Sequence, residues 1–270
     1  MGKIISVANQ KGGVGKTTTA INLSASIALS GKKVLLIDMD PQANASSGLG
    51  IEAESRGVYE LLVGDATQNE VIWSTEIETL KIIPSRVDLT GAEIELVNKP
   101  SREKILATAL NGVREEYEFV VIDCPPSLGL LTLNALALSS SVLIPMQCEY
   151  YALQGLSHLL KTLKLVKKSI NPDLVVEGIL LTMYDSRTLL ASQVKEQVQK
   201  YFSDFLLKTI IPRNVRLSEA PSHGKPIMLY AGRSRGADAY VELAKEIITR
   251  SKSDERINPS MNKEIGRAHV

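Results

Sequence analysis

The chain has 270 residues, of which 44% are hydrophobic and 23% are charged, and its formal net charge is +1. Such a chain can bury a substantial core, and its near-neutral charge excludes an overall electrostatic attraction to nucleic acid. Two cysteines, Cys124 and Cys148, exclude a disulfide framework and fit a reducing cytoplasm, and Lys3 leads directly into an apolar run, so we expect no secretory signal.

The first predicted elements are a strand, a glycine-rich loop and a helix. A short apolar run spans Lys3 to Ala8, the segment KGGVGKTT spans Lys11 to Thr18, and helix-like apolar spacing covers Thr18 to Ser30. In this context the glycines let the backbone aim N–H groups inward, and the helix N-terminus adds partial positive charge. The motif predicts that Lys16 reaches phosphate oxygens and that the Thr17 hydroxyl is a ligand of Mg²⁺.

The loop departs from the general pattern GxxxxGK[ST], because Gln10 stands where that pattern has glycine and a second lysine follows it. Here the chain resembles the deviant Walker A ATPases of the MinD and ParA type, whose motif KGGxGK[ST] matches Lys11 to Thr17. The resemblance implies an ATP-bound homodimer in which Lys11 reaches across to the partner's phosphates, much as an arginine finger does. The ATP-binding loop residues that it implies are Lys11, Gly12, Gly13, Val14, Gly15, Lys16, Thr17 and Thr18.

A second apolar run, Lys33 to Asp38 (KVLLID), ends in an acid. This is typical of a buried parallel strand whose carboxyl end points at the ligand edge of the sheet. The run continues as DxDPQxN, which resembles the first switch segment of the family and implies that Asp40 positions or deprotonates the attacking water. Asp38 is the alternative for that role, or a structural residue near the magnesium ion, and it is a further candidate ligand of that ion.

A third run, Phe119 to Asp123 (FVVID), also ends in an acid. It resembles the Walker B strand of the family, which implies that Asp123 holds Mg²⁺ through water.

Two alternatives concern the following segment. Ser127 to Cys148 has no charged residue, so a membrane-spanning helix is one alternative for this segment. Its Asn134, four serines and Pro145 favour instead a buried helix followed by a buried strand. Nitrogenase iron proteins share this loop and bind an iron–sulfur cluster between two subunits through two cysteines of each. A cluster at Cys124 would compete with magnesium at the adjacent acid, so we interpret this cysteine as a small buried residue.

The alternation of strand-like and helix-like segments continues to the end of the chain. It predicts an α/β fold, a mainly parallel twisted sheet flanked by helices on both faces, of P-loop NTPase type. We expect residues 1–250 to form a single ATPase domain and residues 251–270 a polar, flexible tail, in which Pro259 and scattered apolar residues leave no membrane-binding face. The later predicted strands are Val142 to Pro145, Leu174 to Thr182 and Leu207 to Ile211, and the later predicted helices are Ala152 to Ser169 and Leu189 to Phe202.

Basic residues are concentrated in the C-terminal third, where residues 187–250 contain eleven Lys and Arg against six Asp and Glu. A helix-like stretch begins near Asp185, and the segment IPRNVRLSEAPSH, residues 211–223, resembles the ParA and Soj chromosome-partitioning branch. That resemblance implies that Arg187 and Arg216 contact DNA phosphates and that Pro212 and Asn214 contact adenine. The weaker candidates for DNA contact are Arg213, Arg233 and Arg235.

The resemblance implies a cytoplasmic, nucleoid-associated ATPase that partitions chromosomal or plasmid DNA. Its ATP-bound homodimer binds duplex DNA nonspecifically, and hydrolysis, stimulated by a ParB-type centromere-binding partner, releases it. Aromatic content of 4% offers no stacking platform for single strands. The alternative is a MinD-like nucleotide switch that regulates division or a replication initiator mainly through protein contacts.

Overall fold

The computed structural model describes residues 2–51 and 56–252. These residues form strands and α-helices in near-regular alternation, joined by short loops and by two 3₁₀ segments, Arg102–Lys104 and Ala220–His223. The expected tail lies outside the described residues from position 253 onward. In chain order the elements are β1 (Lys3–Val7), α1 (Lys16–Leu29), β2 (Val34–Asp38), α2 (Asn44–Ser47), α3 (Val58–Val63), α4 (Gln68–Val71), β3 (Trp73–Ser74), β4 (Leu80–Ile83), α5 (Leu89–Leu96), α6 (Ile105–Ala109), α7 (Val113–Glu116), β5 (Phe119–Asp123), α8 (Leu130–Leu138), β6 (Ser141–Gln147), α9 (Ala152–Ser169), β7 (Val175–Tyr184), α10 (Leu189–Phe202), β8 (Leu206–Pro212), α11 (Val215–Glu219), α12 (Ile227–Ala231) and α13 (Arg235–Lys252).

The strands of the described residues form one eight-stranded sheet in the order β3-β4-β2-β5-β1-β6-β7-β8. Every neighbouring pair is parallel except β3 with β4. The predicted mainly parallel α/β fold is therefore confirmed. Parallel pairing brings the carboxyl ends of the strands to one edge, so the segments that follow β1, β2, β5 and β6 meet there.

Alternate side chains of the central strands point to opposite faces of the sheet. Ile4 and Leu35 pack in one core with residues of α3, α5, α8 and α9, whereas Ile5 and Leu36 pack in a second core with residues of α1 and α13. Because helices cover both faces, neither face of these strands needs polar residues. This explains why the strands are continuous apolar runs in the sequence.

The helix that follows the glycine loop packs against the last described helix. The hydroxyls of Thr19 in α1 and Tyr240 in α13 lie 3.2 Å apart, and both side chains are buried. Asn22 of α1 also accepts a hydrogen bond from the backbone N–H of Ile227 at 2.7 Å. The position of the loop helix thus depends on residues more than 200 positions later in the chain.

Most predicted elements occur with small shifts at their ends, and the structure differs from the sequence analysis in two places. From the sequence we assigned no element between β2 and β5, where the structure has β3, β4 and six α-helices within the described residues. The helix predicted over Leu189 to Phe202 has these bounds, whereas the helix-like stretch expected from Asp185 begins only at Leu189, because the Thr188 hydroxyl caps the helix by accepting a hydrogen bond from the N–H of Ala191. Arg187 therefore lies in the turn before α10.

The uncharged segment from Ser127 to Cys148 forms α8 and β6, as the buried-helix interpretation predicts. Across residues 2–51 and 56–252, no helix has both the length and the apolar character needed to cross a bilayer.

Gly57 precedes α3 at a close approach to the loop after β4. A Cβ atom at this position would lie 2.0 Å from the carbonyl oxygen of Pro84, so we expect Gly57→Ala to lower the free energy of unfolding by about 1–3 kcal/mol in urea denaturation. Gly155→Ala in α9 is the matched control, because no atom lies within 4 Å of its added Cβ. The control should be neutral or more stable by about 0.5–1 kcal/mol, and an equal loss in both variants would contradict the steric argument.

Candidate functional site

The glycine loop lies at the carboxyl edge of the sheet between β1 and α1. Gly13 and Gly15 have φ angles of 73° and 86°, in the left-handed region that other residues adopt only with strain. Gly15 stands directly before α1, a helix of 14 residues, whose first-turn N–H groups and dipole give this end partial positive charge. The arrangement suits the binding of a phosphate group.

Two side chains that sequence reasoning missed hold this loop in place. The amide nitrogen of Asn9 donates to the carbonyl oxygen of Pro145 at 2.7 Å, while its oxygen accepts the N–H of Lys11 at 3.1 Å. The hydroxyl of Thr182 donates to the carbonyl oxygen of Val14 at 2.8 Å. The loop is therefore fixed to β6 and β7. No local pattern marks these residues, because their partners are distant in sequence.

Lys16 is buried at the predicted phosphate-binding position. Its ammonium donates to the carbonyl oxygen of Lys11 at 3.3 Å. Burial lowers the pKa of Lys16, and the nearby carboxylates of Asp123 and Asp40 act in the opposite direction. The pocket therefore brings one cation and two carboxylates close together.

Lys11 has a different environment from Lys16, although both belong to the same motif. Its ammonium forms an ion pair with Glu149, which follows β6, and 46% of the Lys11 side chain is exposed. Lys11 therefore lies at the surface of the carboxyl edge. Sequence reasoning did not identify Glu149.

Asp38 is fully buried at the end of β2, and its carboxylate is occupied by hydrogen bonds. It accepts the N–H of Asp40 at 3.2 Å, together with the N–H and the hydroxyl of Ser46 at 2.8 and 2.7 Å. The Ser46 hydroxyl in turn accepts the N–H of Ser85 at 2.9 Å. Burial raises the pKa of Asp38 to about 6, and the bonds from Ser46 act against this rise. These contacts favour the structural interpretation of Asp38 over the water-activating one.

Asp40 lies two residues beyond the end of β2 and is buried, with 7% exposure. One of its oxygens accepts the N–H of Gln42 at 3.0 Å, which shapes the turn. Because its charge acts on Lys16, Asp40 faces the same pocket. Its placement is compatible with the predicted role of orienting a water molecule.

Asp123 ends β5 as the register partner of both Val7 and Asp38. It is fully buried, and neither carboxylate oxygen has a hydrogen-bond partner among the described residues. Burial and the neighbouring Asp38 carboxylate raise the pKa of Asp123 well above its usual range. The Thr17 hydroxyl acts in the opposite direction without reaching normal hydrogen-bond geometry.

The surroundings of Asp123 fit a magnesium ion, because a buried carboxylate without donors beside a threonine hydroxyl offers the oxygen ligands that Mg²⁺ prefers. Thr17 and Asp123 are the residues that would hold the ion. Within the described part of the chain, no group of three or more Asp, Glu, His and Cys side chains is placed to hold a metal. A magnesium ion here would therefore depend on ligands from water and from phosphate oxygens.

The two cysteines do not fit a cluster shared between subunits. Cys124 is fully buried, and burial raises the pKa of its thiol to about 12. Cys148 is partly buried, with a pKa raised by burial to about 11. A shared iron–sulfur cluster needs thiolates that reach a common surface, which a fully buried thiol does not.

A pocket of about 200 Å³ adjoins the glycine loop. Pro212 at the end of β8 and Asn214 after it line its wall, as do Gly15 and Thr18. The side-chain oxygen of Asn214 accepts the N–H of Arg216 at 2.9 Å and caps α11. The structure thus brings the two residues predicted to contact adenine next to the phosphate loop.

The two arginines predicted to contact DNA lie outside this pocket but at the same edge of the sheet. Arg187 follows β7 and Arg216 lies in α11 after β8, and their side chains are 85% and 59% exposed. β7 and β8 are neighbouring strands that pair up to Tyr184 and Pro212. Both arginines therefore leave the sheet at one corner.

A larger groove of about 910 Å³ lies at the opposite, amino edge of the sheet. Its lining includes the ion pairs of Lys3 with Glu177 at 2.6 Å and of Lys32 with Glu118 at 2.7 Å. None of the predicted site residues lines it.

Comparison with known proteins gives consistent results. Residues 2–176 match a family model described as an AAA domain. The chain is 61% identical over 249 residues to the sporulation initiation inhibitor protein Soj of Bacillus subtilis (strain 168), covering 92% of this chain and 98% of that protein. It is 54% identical over 250 residues to the chromosome-partitioning ATPase Soj of Treponema pallidum (strain Nichols), covering 93% and 98%.

Among solved structures, cobyrinic acid a,c-diamide synthase of Mycobacterium smegmatis with bound ADP and magnesium is similar, with a TM-score of 0.82 and 36% identity. The match covers 94% of this chain and 97% of that one. Because similar proteins carry the names of different reactions, the fold alone does not fix the activity.

The unpaired carboxylate of Asp123 generates a prediction about the ligand-free protein. Its folded-state pKa lies above the unfolded value of about 3.9, so its charge costs no stability below that pH and an increasing amount as the pH rises toward the folded-state pKa. We therefore expect Asp123→Asn to raise the unfolding temperature at pH 7, by about 2–4 °C for each kcal/mol gained.

The gain should shrink toward pH 4 when unfolding is followed by circular dichroism without nucleotide. Asp173→Asn, an exposed turn position, is the control and should change little at either pH. A lower unfolding temperature for Asp123→Asn at pH 7 would be incompatible with an unpaired buried charge.

Proposed function

The chain belongs to the family of Soj and ParA chromosome-partitioning ATPases, and we propose that it is a Mg²⁺-dependent ATPase whose ATP-bound homodimer binds duplex DNA nonspecifically. The observation that carries this proposal is the different placement of the two lysines of one motif. Lys16 is buried in the loop pocket, whereas Lys11 lies exposed at the carboxyl edge, where a second subunit can receive it.

ATP fits the pocket because its phosphates and its adenine have separate partners. The N–H groups of the loop from Gly12 to Thr18 and the ammonium of Lys16 would bind the phosphates. Pro212 and Asn214 would border the adenine in the adjoining pocket. The relative from Mycobacterium smegmatis that binds ADP and magnesium has the same fold, which supports this assignment.

Hydrolysis requires an oriented water molecule and compensation of charge. Asp40 would accept a hydrogen bond from the attacking water, while Lys16 and Lys11 would neutralise negative charge that develops on the phosphate oxygens. Thr17 would hold Mg²⁺ directly and Asp123 would hold it through water. When bound, the ion supplies positive charge to the same phosphate oxygens.

The carboxyl edge of the sheet carries exposed apolar side chains that a second copy of the chain can cover. Large apolar side chains are exposed on the segments after three neighbouring strands, namely Tyr150 at 78%, Leu189 at 73% and Val215 at 69%. Contact with a second subunit would remove this apolar area from water. In such a dimer Lys11 would leave Glu149 for the phosphates of the partner, so assembly and ATP binding would be coupled.

DNA binding would follow from the dimer. Arg187 and Arg216 give each subunit a small number of phosphate contacts at one corner of the sheet. Such contacts are weak and depend strongly on salt, but a dimer doubles their number and so turns the nucleotide state into DNA affinity.

In the cell, slow hydrolysis would return the dimer to weakly binding monomers. A ParB-type protein bound at a centromere-like site would accelerate this step, which would release the ATPase from the DNA near that site. The cycle would segregate chromosomal or plasmid DNA and would place the protein on the nucleoid in the cytoplasm.

The name of the Bacillus subtilis relative, an inhibitor of sporulation initiation, favours a second candidate function. The same nucleotide switch would then act on a regulatory protein such as a replication initiator, with DNA as a scaffold only. Arg187→Ala separates the candidates, because a regulator that works through protein contacts keeps its cellular effect after it loses DNA affinity.

Sedimentation with ATP tests the role of Lys11 in assembly. We expect a dimer for the wild-type protein with ATP, a monomer with ADP, and a monomer for Lys11→Ala with either nucleotide. Lys32→Ala is the matched control, because Lys32 also forms a surface ion pair but lies at the opposite edge of the sheet, and it should dimerise normally. A stable ATP-bound dimer of Lys11→Ala would remove the cross-subunit role of this lysine.

Duplex DNA binding in ATP and in ADP tests the switch. Lys16→Ala should not bind, and Asp40→Ala with ATP should bind most durably, because its dimer forms but cannot reset. In the wild-type dimer log K should fall with log salt, and Arg187→Ala should reduce the slope by about 0.9 for each phosphate that the variant no longer neutralises. Equal binding in all nucleotide states would refute the proposal that ATP controls DNA affinity.

A further inference from the structure

Arg187 is held by a carboxylate of its own chain. Its Nε and one terminal nitrogen donate to the two oxygens of Asp185 at 2.8 and 2.7 Å, and its backbone N–H donates to the first oxygen at 3.1 Å. This two-pronged geometry is the one in which arginine binds a phosphate. The guanidinium holds the pKa of Asp185 well below its usual range, so the carboxylate stays charged at neutral pH.

Arg216 has an equivalent partner. One of its terminal nitrogens donates to Glu219 at 2.8 Å. The hydroxyl of Tyr230 donates to the same carboxylate oxygen at 3.1 Å, and the Tyr230 ring stacks on His223 at 4.7 Å between centroids. The Glu219 carboxylate is thus held by both Arg216 and Tyr230. The ion pair and the Tyr230 hydroxyl both lower the pKa of Glu219.

The weaker arginine candidates differ from these two. Arg213, Arg233 and Arg235 are exposed and form no ion pair with any residue of the described chain. Arg213 lies close enough to contribute to the low pKa of Asp185, yet Asp185 pairs with Arg187 only. The pairing is therefore a property of the two arginines to which we assign DNA contact.

We propose that Asp185 and Glu219 compete with DNA phosphates for Arg187 and Arg216, and so keep the single subunit from binding DNA on its own. This inference rests on the proposed function and adds a control to the same site. A phosphate must displace a carboxylate that uses the same N–H donors, and the displaced charge stays nearby and repels the DNA backbone. Each contact is therefore weakened.

The competition lowers the DNA affinity of the monomer. Each arginine contact of the monomer is weak because it replaces an existing ion pair. In the dimer the same small gains act together on one duplex, so binding becomes appreciable only after ATP joins two subunits. The carboxylates thus keep the affinity of the single subunit low, so that appreciable DNA binding needs the assembled dimer.

The experiment uses Asp185→Asn and Glu219→Gln in the full chain. Both substitutions remove the charge but keep an oxygen that can accept the backbone N–H of Arg187 or the hydroxyl of Tyr230. Glu196→Gln is the control, because it adds the same charge to the basic region but has no ion pair within the described residues. Binding to a fluorescent duplex is measured at one salt concentration with ATP and with ADP.

We expect each carboxylate variant to bind DNA about two- to fivefold more tightly per subunit than the control does, in line with the usual strength of exposed ion pairs. With ADP the gain of one subunit should be seen directly, and with ATP the gains of both subunits should multiply. ATP-driven dimerisation should stay unchanged. Affinities equal to that of Glu196→Gln would overturn the inference, because the gain would then be an effect of net charge.

The double variants Asp185→Asn/Arg187→Ala and Glu219→Gln/Arg216→Ala complete the test as double-mutant cycles. If the carboxylates act by competition, the added Asn or Gln gives no more than the gain of Glu196→Gln once the arginine is gone, and a larger gain that persists would overturn the inference. Failure of the proposed function looks different, because Arg187→Ala and Arg216→Ala would then leave DNA affinity unchanged. Loss of affinity in the arginine variants without a gain in the carboxylate variants would refute competition alone.

Discussion

The parallel pairing of β1, β5 and β2 brings buried charged groups of both signs to one edge of the sheet, and the arrangement of the site depends on this. Val7, Asp123 and Asp38 end these strands at one level, so the glycine loop and both acids meet at the same edge. The buried ammonium of Lys16 is stabilised there by carboxylates that are themselves buried. The Lys16 charge is favoured by Asp123 and Asp40, whereas burial and the neighbouring Asp38 disfavour the charge of Asp123.

Two acids in equivalent strand positions have opposite environments. Asp38 accepts hydrogen bonds from Asp40 and Ser46 in the segment that follows it, whereas Asp123 accepts none within the described residues. The oxygens of Asp38 are therefore used as hydrogen-bond acceptors within the fold, whereas those of Asp123 remain available to a ligand. The unpaired charge destabilises the ligand-free protein, as is common where a site is built for binding.

The features that sequence reasoning predicted well are those with a local cause. Buried parallel strands are apolar runs, glycines mark the phosphate loop, and α9 and α10 follow from helical periodicity between turn residues. Short elements such as β3 have too few residues to show a period. The roles of Asn9, Ser46 and Glu149 depend on partners brought close only by the folded sheet, so no local pattern could reveal them. The same holds for the unequal environments of Asp38 and Asp123.

The contact between α1 and α13 has a consequence during synthesis of the protein on the ribosome. The chain is made from its N-terminus, so the helix behind the glycine loop lacks Ile227 and Tyr240 until more than 200 further residues have been added. A nascent or prematurely terminated chain would therefore expose the loop without the packing that orients it. We therefore expect the loop to take its ligand-binding conformation only after these two residues have been synthesised.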